Sequence, residues 1–169
     1  MSFFKDKTVI MSGGSRGVGL EIAKALGKDG ANIVILAKTT EPHPTLPGTI
    51  YTAAEEIESV GGNALPVVCD IRFEEQVENA VSEAVKKFGG IDILINNAGI
   101  LNVSLFQMYK YEDLKRIFEV NFFNTFEFTK LIIKIMSYKV LLSKFQLLLL
   151  YVMLFTDLLT IFYNLILLL

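Results

Sequence analysis

The feature that most constrains this chain is a glycine-rich turn set between an apolar strand and an amphipathic helix. Residues 8–11 form a short β-rich run that ends at Ser12-Gly13-Gly14, and a helical pattern follows Gly17, with Val18, Ile22, Ala25 and Leu26 on one face. Glycines at 13, 17 and 19 leave backbone amides accessible to an anion, and the helix N-terminus adds a favourable dipole. Three glycines alone are a weak signal. Placed between strand and helix in a βαβ unit, they point to the pyrophosphate of a dinucleotide, the plain alternative being a turn without a ligand.

The alternation continues downstream. Residues 32–36 read as an apolar strand buried on both faces of a parallel sheet, 39–48 as a proline-containing loop, 51–60 as a helix ended by Gly61-Gly62, and 64–69 as a third strand. Pro66 lies inside that strand and cannot donate to a ladder, so the strand is expected at a sheet edge, its place in the order 3-2-1-4. Residues 73–88 carry the stripe Val77, Ala80, Val81, Ala84, Val85 and Phe88, and 91–95 give a fourth strand. A last helix over 112–135 presents Leu114, Ile117, Asn121, Thr125, Phe128 and Ile132 inward, with Asn121 as a polar interruption. The expectation is an α/β, Rossmann-type doubly wound parallel sheet, cut short after its fourth strand and following helix, with domain bounds 1–136 and a separate apolar tail over 137–169.

Residue choice at the strand ends narrows the ligand. A dinucleotide fold that prefers NAD ends strand 2 with an acid for the ribose 2′-hydroxyl, but here the end reads Leu36-Ala37-Lys38. Lys38 and Arg16 instead offer cations to a 2′-phosphate, which favours NADP(H); two solvated surface cations are the alternative. Asp70, ahead of Ile71 at the end of strand 3, suits either the adenine amino group or the N-cap of the 73–88 helix. The formal net charge of -2 without a basic run argues against nucleic acid, and no metal site is expected. Cys69 is the single cysteine, so no internal disulfide forms, and the first residues lack signal-peptide architecture; an intracellular, cytoplasmic setting is the default expectation.

Asn96-Asn97-Ala98-Gly99 closes strand 4 in the same crevice. Together with Ser12-Gly13-Gly14-Ser15-Arg16-Gly17-Val18-Gly19, Asp70-Ile71 and Val120-Asn121, it makes the chain resemble the short-chain dehydrogenase/reductase family. Residues 37–58 are similar to a hydroxysteroid dehydrogenase-like subgroup, a likeness drawn as far as about Ile95. The resemblance implies hydride transfer between a nicotinamide and a carbonyl or secondary alcohol. It implies cofactor contacts at Gly13, Gly14, Ser15, Arg16, Gly17, Val18, Gly19, Lys38, Asp70, Ile71, Asn97, Ala98 and Gly99. It also implies that Asn121 holds a water in the proton relay, against a purely structural amide. A peroxisomal or mitochondrial setting is a further implication, and oligomeric state is left open.

The family's next elements are a serine-ended fifth strand and a Tyr-x3-Lys helix, and neither is recognisable here. Tyr111 to Lys115 matches that spacing but precedes Asn121 and falls on the wrong helix, so an inactive chain is expected. The competing function is a non-catalytic nucleotide-binding or membrane-associated protein. Residues 145–169 are leucine-dominated with Asp157 near the centre; their length suits a bilayer span of about 20 residues, against an aspartate cost of roughly 2.5–3.5 kcal/mol. Three readings of that stretch stay open: a truncated or misread coding sequence, a membrane tail, and a core segment replacing later strands.

Overall fold

The computed structural model describes residues 2–42 and 47–136. His43, the proposed tail over 137–169 and the apolar run over 145–169 lie outside the described residues.

Strands β1 (Thr8–Ser12), β2 (Asn32–Ala37), β3 (Asn63–Val68) and β4 (Ile93–Asn96) form one parallel sheet in the order β3-β2-β1-β4. Its register pairs Ile10 with Val34 and Leu94, and Val34 with Leu65. Among the described residues β3 has β2 as its one strand neighbour, so Pro66 stands in an edge strand, as its missing N–H requires. Helices α1 (Gly17–Lys28), α2 (Ile50–Ser59), α3 (Glu74–Phe88), α4 (Tyr111–Phe118) and α5 (Thr125–Met136), with a 3-10 turn at Phe106–Met108 and a π-helical turn at Glu119–Asn124, complete the described elements.

The strand pleat sends successive side chains to opposite faces, and the core divides accordingly. Ile10, Val34, Leu36, Val67 and Cys69 face α3 and α5, where Val77, Ala80, Ala84, Phe128 and Ile132 cover them. Val9, Met11, Ile33, Ile35 and Ala64 face α1 and α2, against Leu20, Ala23, Ala53 and Ile57. This is the helix-sheet-helix layering of a Rossmann fold, with every strand pointing its C-terminal end at the same rim.

Several local expectations are corrected. The buried residues of α1 are Gly19, Leu20, Ala23 and Gly27; Ile22 and Leu26 pack against the same core as expected, while Val18 is 73% exposed and Ala25 is exposed. Small residues win because the helix lies close to its neighbours: a Cβ on Gly27 would come 3.0 Å from Ile57. α3 does bury Val77, Ala80, Val81 and Ala84, but Val85 is exposed. The helix expected over 112–135 is not one α-helix. A π-helical turn at Glu119–Asn124 separates α4 from α5, so burial begins only at Phe128, and Leu114 is exposed. α2 is held at its start by a capping box: Thr49 Oγ1 accepts from the amides of Tyr51 and Thr52, and the Thr49 amide donates to Thr52 Oγ1.

Candidate functional site

At the C-terminal rim of the sheet, the turn after β1 and the ends of β2, β3 and β4 enclose a cleft of about 410 Å³. Of the sequence-selected residues, Gly13, Ser15, Arg16, Val18, Gly19, Lys38, Asp70, Ile71, Asn97, Ala98 and Gly99 line it. Gly14, Gly17 and Asn121 do not.

The turn is locked to strand β4. Ser12 Oγ accepts from the amides of Asn97 and Ala98 at 3.2 and 3.1 Å, and Asn97 Nδ2 donates to the carbonyls of Ser12 and Gly13 at 3.2 and 2.9 Å. Asn97 is therefore a clamp on the glycine turn. Its closeness explains Gly19, where a Cβ would stand 2.5 Å from both Asn97 Nδ2 and the Gly13 carbonyl. Gly13 and Gly17 carry φ of 72° and 55°, a region that side chains disfavour; around Gly17 an added Cβ would meet nothing within 4 Å. Access is thus one reason for these glycines, and packing against Asn97 is the other. Arg16 stands at the N-cap of α1 and makes no side-chain cap, so among the described residues the first-turn amides do not have the usual capping acceptor.

Electrostatics at the other end of the cleft centre on Asp70. Its carboxylate accepts from Arg72 Nε at 3.0 Å on both oxygens and from the Arg72 amide at 3.2 Å, and Lys38 Nζ lies 3.3 Å from Oδ2. The Arg72 side chain, above all, holds the Asp70 carboxyl down at about 2, with Lys38 adding to it against the opposing effect of burial. Asp70 is consequently not the N-cap of α3; that position is Phe73, without a side-chain cap. Burial, and then the neighbouring Asp70 charge, push the Cys69 thiol up to about 11.

Neither sequence-selected cation is simply solvated. Lys38 is 63% exposed yet paired with Asp70, and Arg16 Nη2 donates to the Gly48 carbonyl at 3.1 Å, tying the proline loop to the glycine turn. Two further cations, outside the motifs, line the cleft: Arg72 and Arg116. Arg72 was findable, because residues just beyond a strand's C-terminal end face the ligand crevice and it follows Asp70 by two. Arg116 reaches the cleft through the placement of α4, which no local pattern encodes.

Asn121 sits in the π-helical turn and pairs with Ile100: its Oδ1 accepts from the Ile100 amide and its Nδ2 donates to the Ile100 carbonyl, each at 2.9 Å. Tyr111 and Lys115 line a separate hollow with Leu114 and Phe118, and Tyr111 is 75% exposed. Among the described residues no helix is long and apolar enough to cross a membrane.

Comparison with known proteins places this architecture. Hydroxysteroid dehydrogenase-like protein 2 from Homo sapiens is 62% identical over 97 residues, covering 57% of this chain and 23% of the relative. The Danio rerio protein of the same name is 59% identical over 97 residues, with the same coverage. The chain thus matches about a quarter of the length of these curated relatives. Among solved structures, a short chain dehydrogenase from Mycobacterium thermoresistibile superposes with a TM-score of 0.74 at 46% identity, covering 79% of this chain and 48% of that one. An NAD+-bound xylitol dehydrogenase superposes with a TM-score of 0.71 at 29% identity, covering 79% and 49%. Residues 7–140 match the short chain dehydrogenase family, and the chain belongs to that family.

Proposed function

We propose that the cleft binds NADP(H) and that the chain, within an oxidoreductase family, binds the cofactor without turning over a carbonyl or alcohol. The observation that carries the binding reading is the uncapped start of α1, which opens beside Ser15, Arg16, Val18 and Gly19 into a cleft of ligand size. First-turn amides and the helix dipole supply what a pyrophosphate needs there. Arg16 and Lys38, with no acid at Ala37, favour a ribose 2′-phosphate over a free hydroxyl. Asp70 and Ile71 would lie at the adenine end, and Ala98 and Gly99 toward the nicotinamide.

When bound, the nicotinamide would supply hydride chemistry; the chain's own part is to hold and orient it. The reading without turnover is supported by Tyr111 and Lys115, whose hollow is not the cleft. Residues 1–136 serve as the cofactor-binding unit in this reading. Fluorescence titration of the full chain tests it: NADPH should bind more tightly than NADH, and no carbonyl reduction should follow. Absence of binding to either cofactor would refute the first part, and measurable turnover the second.

A further inference from the structure

Building on the NADP(H) reading, we propose that Arg72 recognises the ribose phosphate and is a determinant of cofactor choice, with Asp70 and Phe73 as its positioning residues. Three features of its surroundings carry this. First, the guanidinium is oriented: Nε bonds both Asp70 oxygens at 3.0 Å, Nη2 lies 2.5 Å from Oδ2, and the Phe73 ring lies 5.5 Å from the guanidinium carbon. A fork gripped along one edge and stacked on a ring loses little freedom when it takes up a second anion.

Second, donors remain. Asp70 takes the Nε and Nη2 side, and Nη1 has no partner among the described residues. Arg72 is also 41% exposed at the cleft, so an anion can reach it. Third, the charges do not balance. Lys38 Nζ and Arg72 Nη2 converge on the same oxygen of Asp70, so two cations share one carboxylate, and Arg16 and Arg116 line the same cleft. Glu119 is close enough for its charge to act on Arg72, yet forms no ion pair with it among the described residues. An oxyanion that meets Lys38 and Arg72 together satisfies this excess, whereas an unphosphorylated ribose offers no charge to do so.

The test uses the full chain and measures dissociation constants for NADPH and NADH in the wild type, Arg72→Gln and Arg72→Lys, with circular dichroism confirming the fold. Arg72→Gln should weaken NADPH about tenfold while leaving NADH within about twofold, and Arg72→Lys should restore part of the difference. Equal weakening of both cofactors, or an unchanged preference, overturns the assignment of Arg72. A wild type that binds NADH as tightly as NADPH overturns the 2′-phosphate reading itself, and Arg72 with it. A second measurement needs no variant: phenylglyoxal modification of Arg72, read by peptide mass, should be blocked by adenosine 2′,5′-bisphosphate and not by adenosine 5′-monophosphate. Equal modification in the presence of both also overturns the proposal.

Discussion

The carboxamide of Asn121 pairs with Ile100 as one strand residue pairs with another, giving its oxygen to the amide and its nitrogen to the carbonyl, both at 2.9 Å. The pair ties the π-helical turn at Glu119–Asn124 to the segment that leaves β4. π-turns inside helices recur at functional sites, and here the bulge coincides with the residue that reaches across. Asn121→Ala removes the side-chain partner of two half-buried Ile100 backbone groups at the cleft and should cost about 1 kcal/mol. Asn121→Asp keeps the acceptor but sets a carboxylate oxygen against the Ile100 carbonyl, so it should be at least as damaging. Thermal unfolding gives the size, and hydrogen exchange at the Ile100 amide gives the location. Unchanged protection at Ile100 in Asn121→Ala would refute the bridge.

The glycines of the turn should respond unequally. Gly19→Ala forces a Cβ to 2.5 Å from the Gly13 carbonyl and Asn97 Nδ2, so the turn and β4 must separate. Gly17→Ala has open space and suffers only from its φ of 55°, a cost of about 1 kcal/mol. Denaturant unfolding should therefore show Gly19→Ala as much the more destabilised, and NADPH titration should show weaker binding for it. Equal midpoints for the two variants would contradict the packing account.

Asp70 makes a pH prediction with a fixed sign. Its folded carboxyl lies at about 2 against an ordinary 3.8, so it contributes stability above about pH 4 and loses that contribution as pH falls toward 2. Asp70 is 11% exposed, but Arg72 and Lys38 are 41% and 63% exposed, so solvent screening reduces the worth of the pairing to on the order of 1 kcal/mol. Asp70→Asn should be less stable than the wild type by about that amount at pH 7, and the gap should close between pH 4 and pH 2. A gap that stays constant with pH would mean that packing, rather than charge, is what Asp70 supplies.

The sheet order and the glycine turn were readable because each rests on a local rule: apolar strands alternating with helices, and Pro66 confined to an edge. The site was readable as far as residue identity reaches. Gly13, Lys38, Asp70 and Asn97 do converge on one cleft. What the sequence could not disclose is who bonds whom. Asp70 suits an adenine, a helix cap or a cation equally well by type, and only the fold brings Arg72 and Lys38 to its oxygens. The inward face of α1 follows apolar spacing at Ile22 and Leu26 and departs from it elsewhere for a related reason. Apolar spacing selects Val18 and Ala25, but close approach to α2 and the Asn97 clamp select Gly27 and Gly19. A hydrophobic stripe reports burial, and glycine at a contact reports distance.

Cys69, between the core and the floor of the cleft, offers a probe of the core in the cofactor-free chain. It is 2% exposed, packs in the cluster that includes Phe128 and Val77, and its thiol is pushed up to about 11, first by burial and then by Asp70. Since the thiolate is the nucleophile, alkylation in the folded chain must wait for opening. Iodoacetamide at pH 8 should therefore label the native protein far more slowly than the urea-unfolded protein. Asp70→Asn removes only the lesser cause and should leave native labelling slow. Phe128→Ala removes a ring that is 2% exposed and should cost about 3–5 kcal/mol, raising the open population and the labelling rate by about a hundredfold or more. Native labelling as fast as unfolded labelling would show that Cys69 is not enclosed by this core. A large acceleration in Asp70→Asn, without one in Phe128→Ala, would show that charge rather than enclosure governs the thiol.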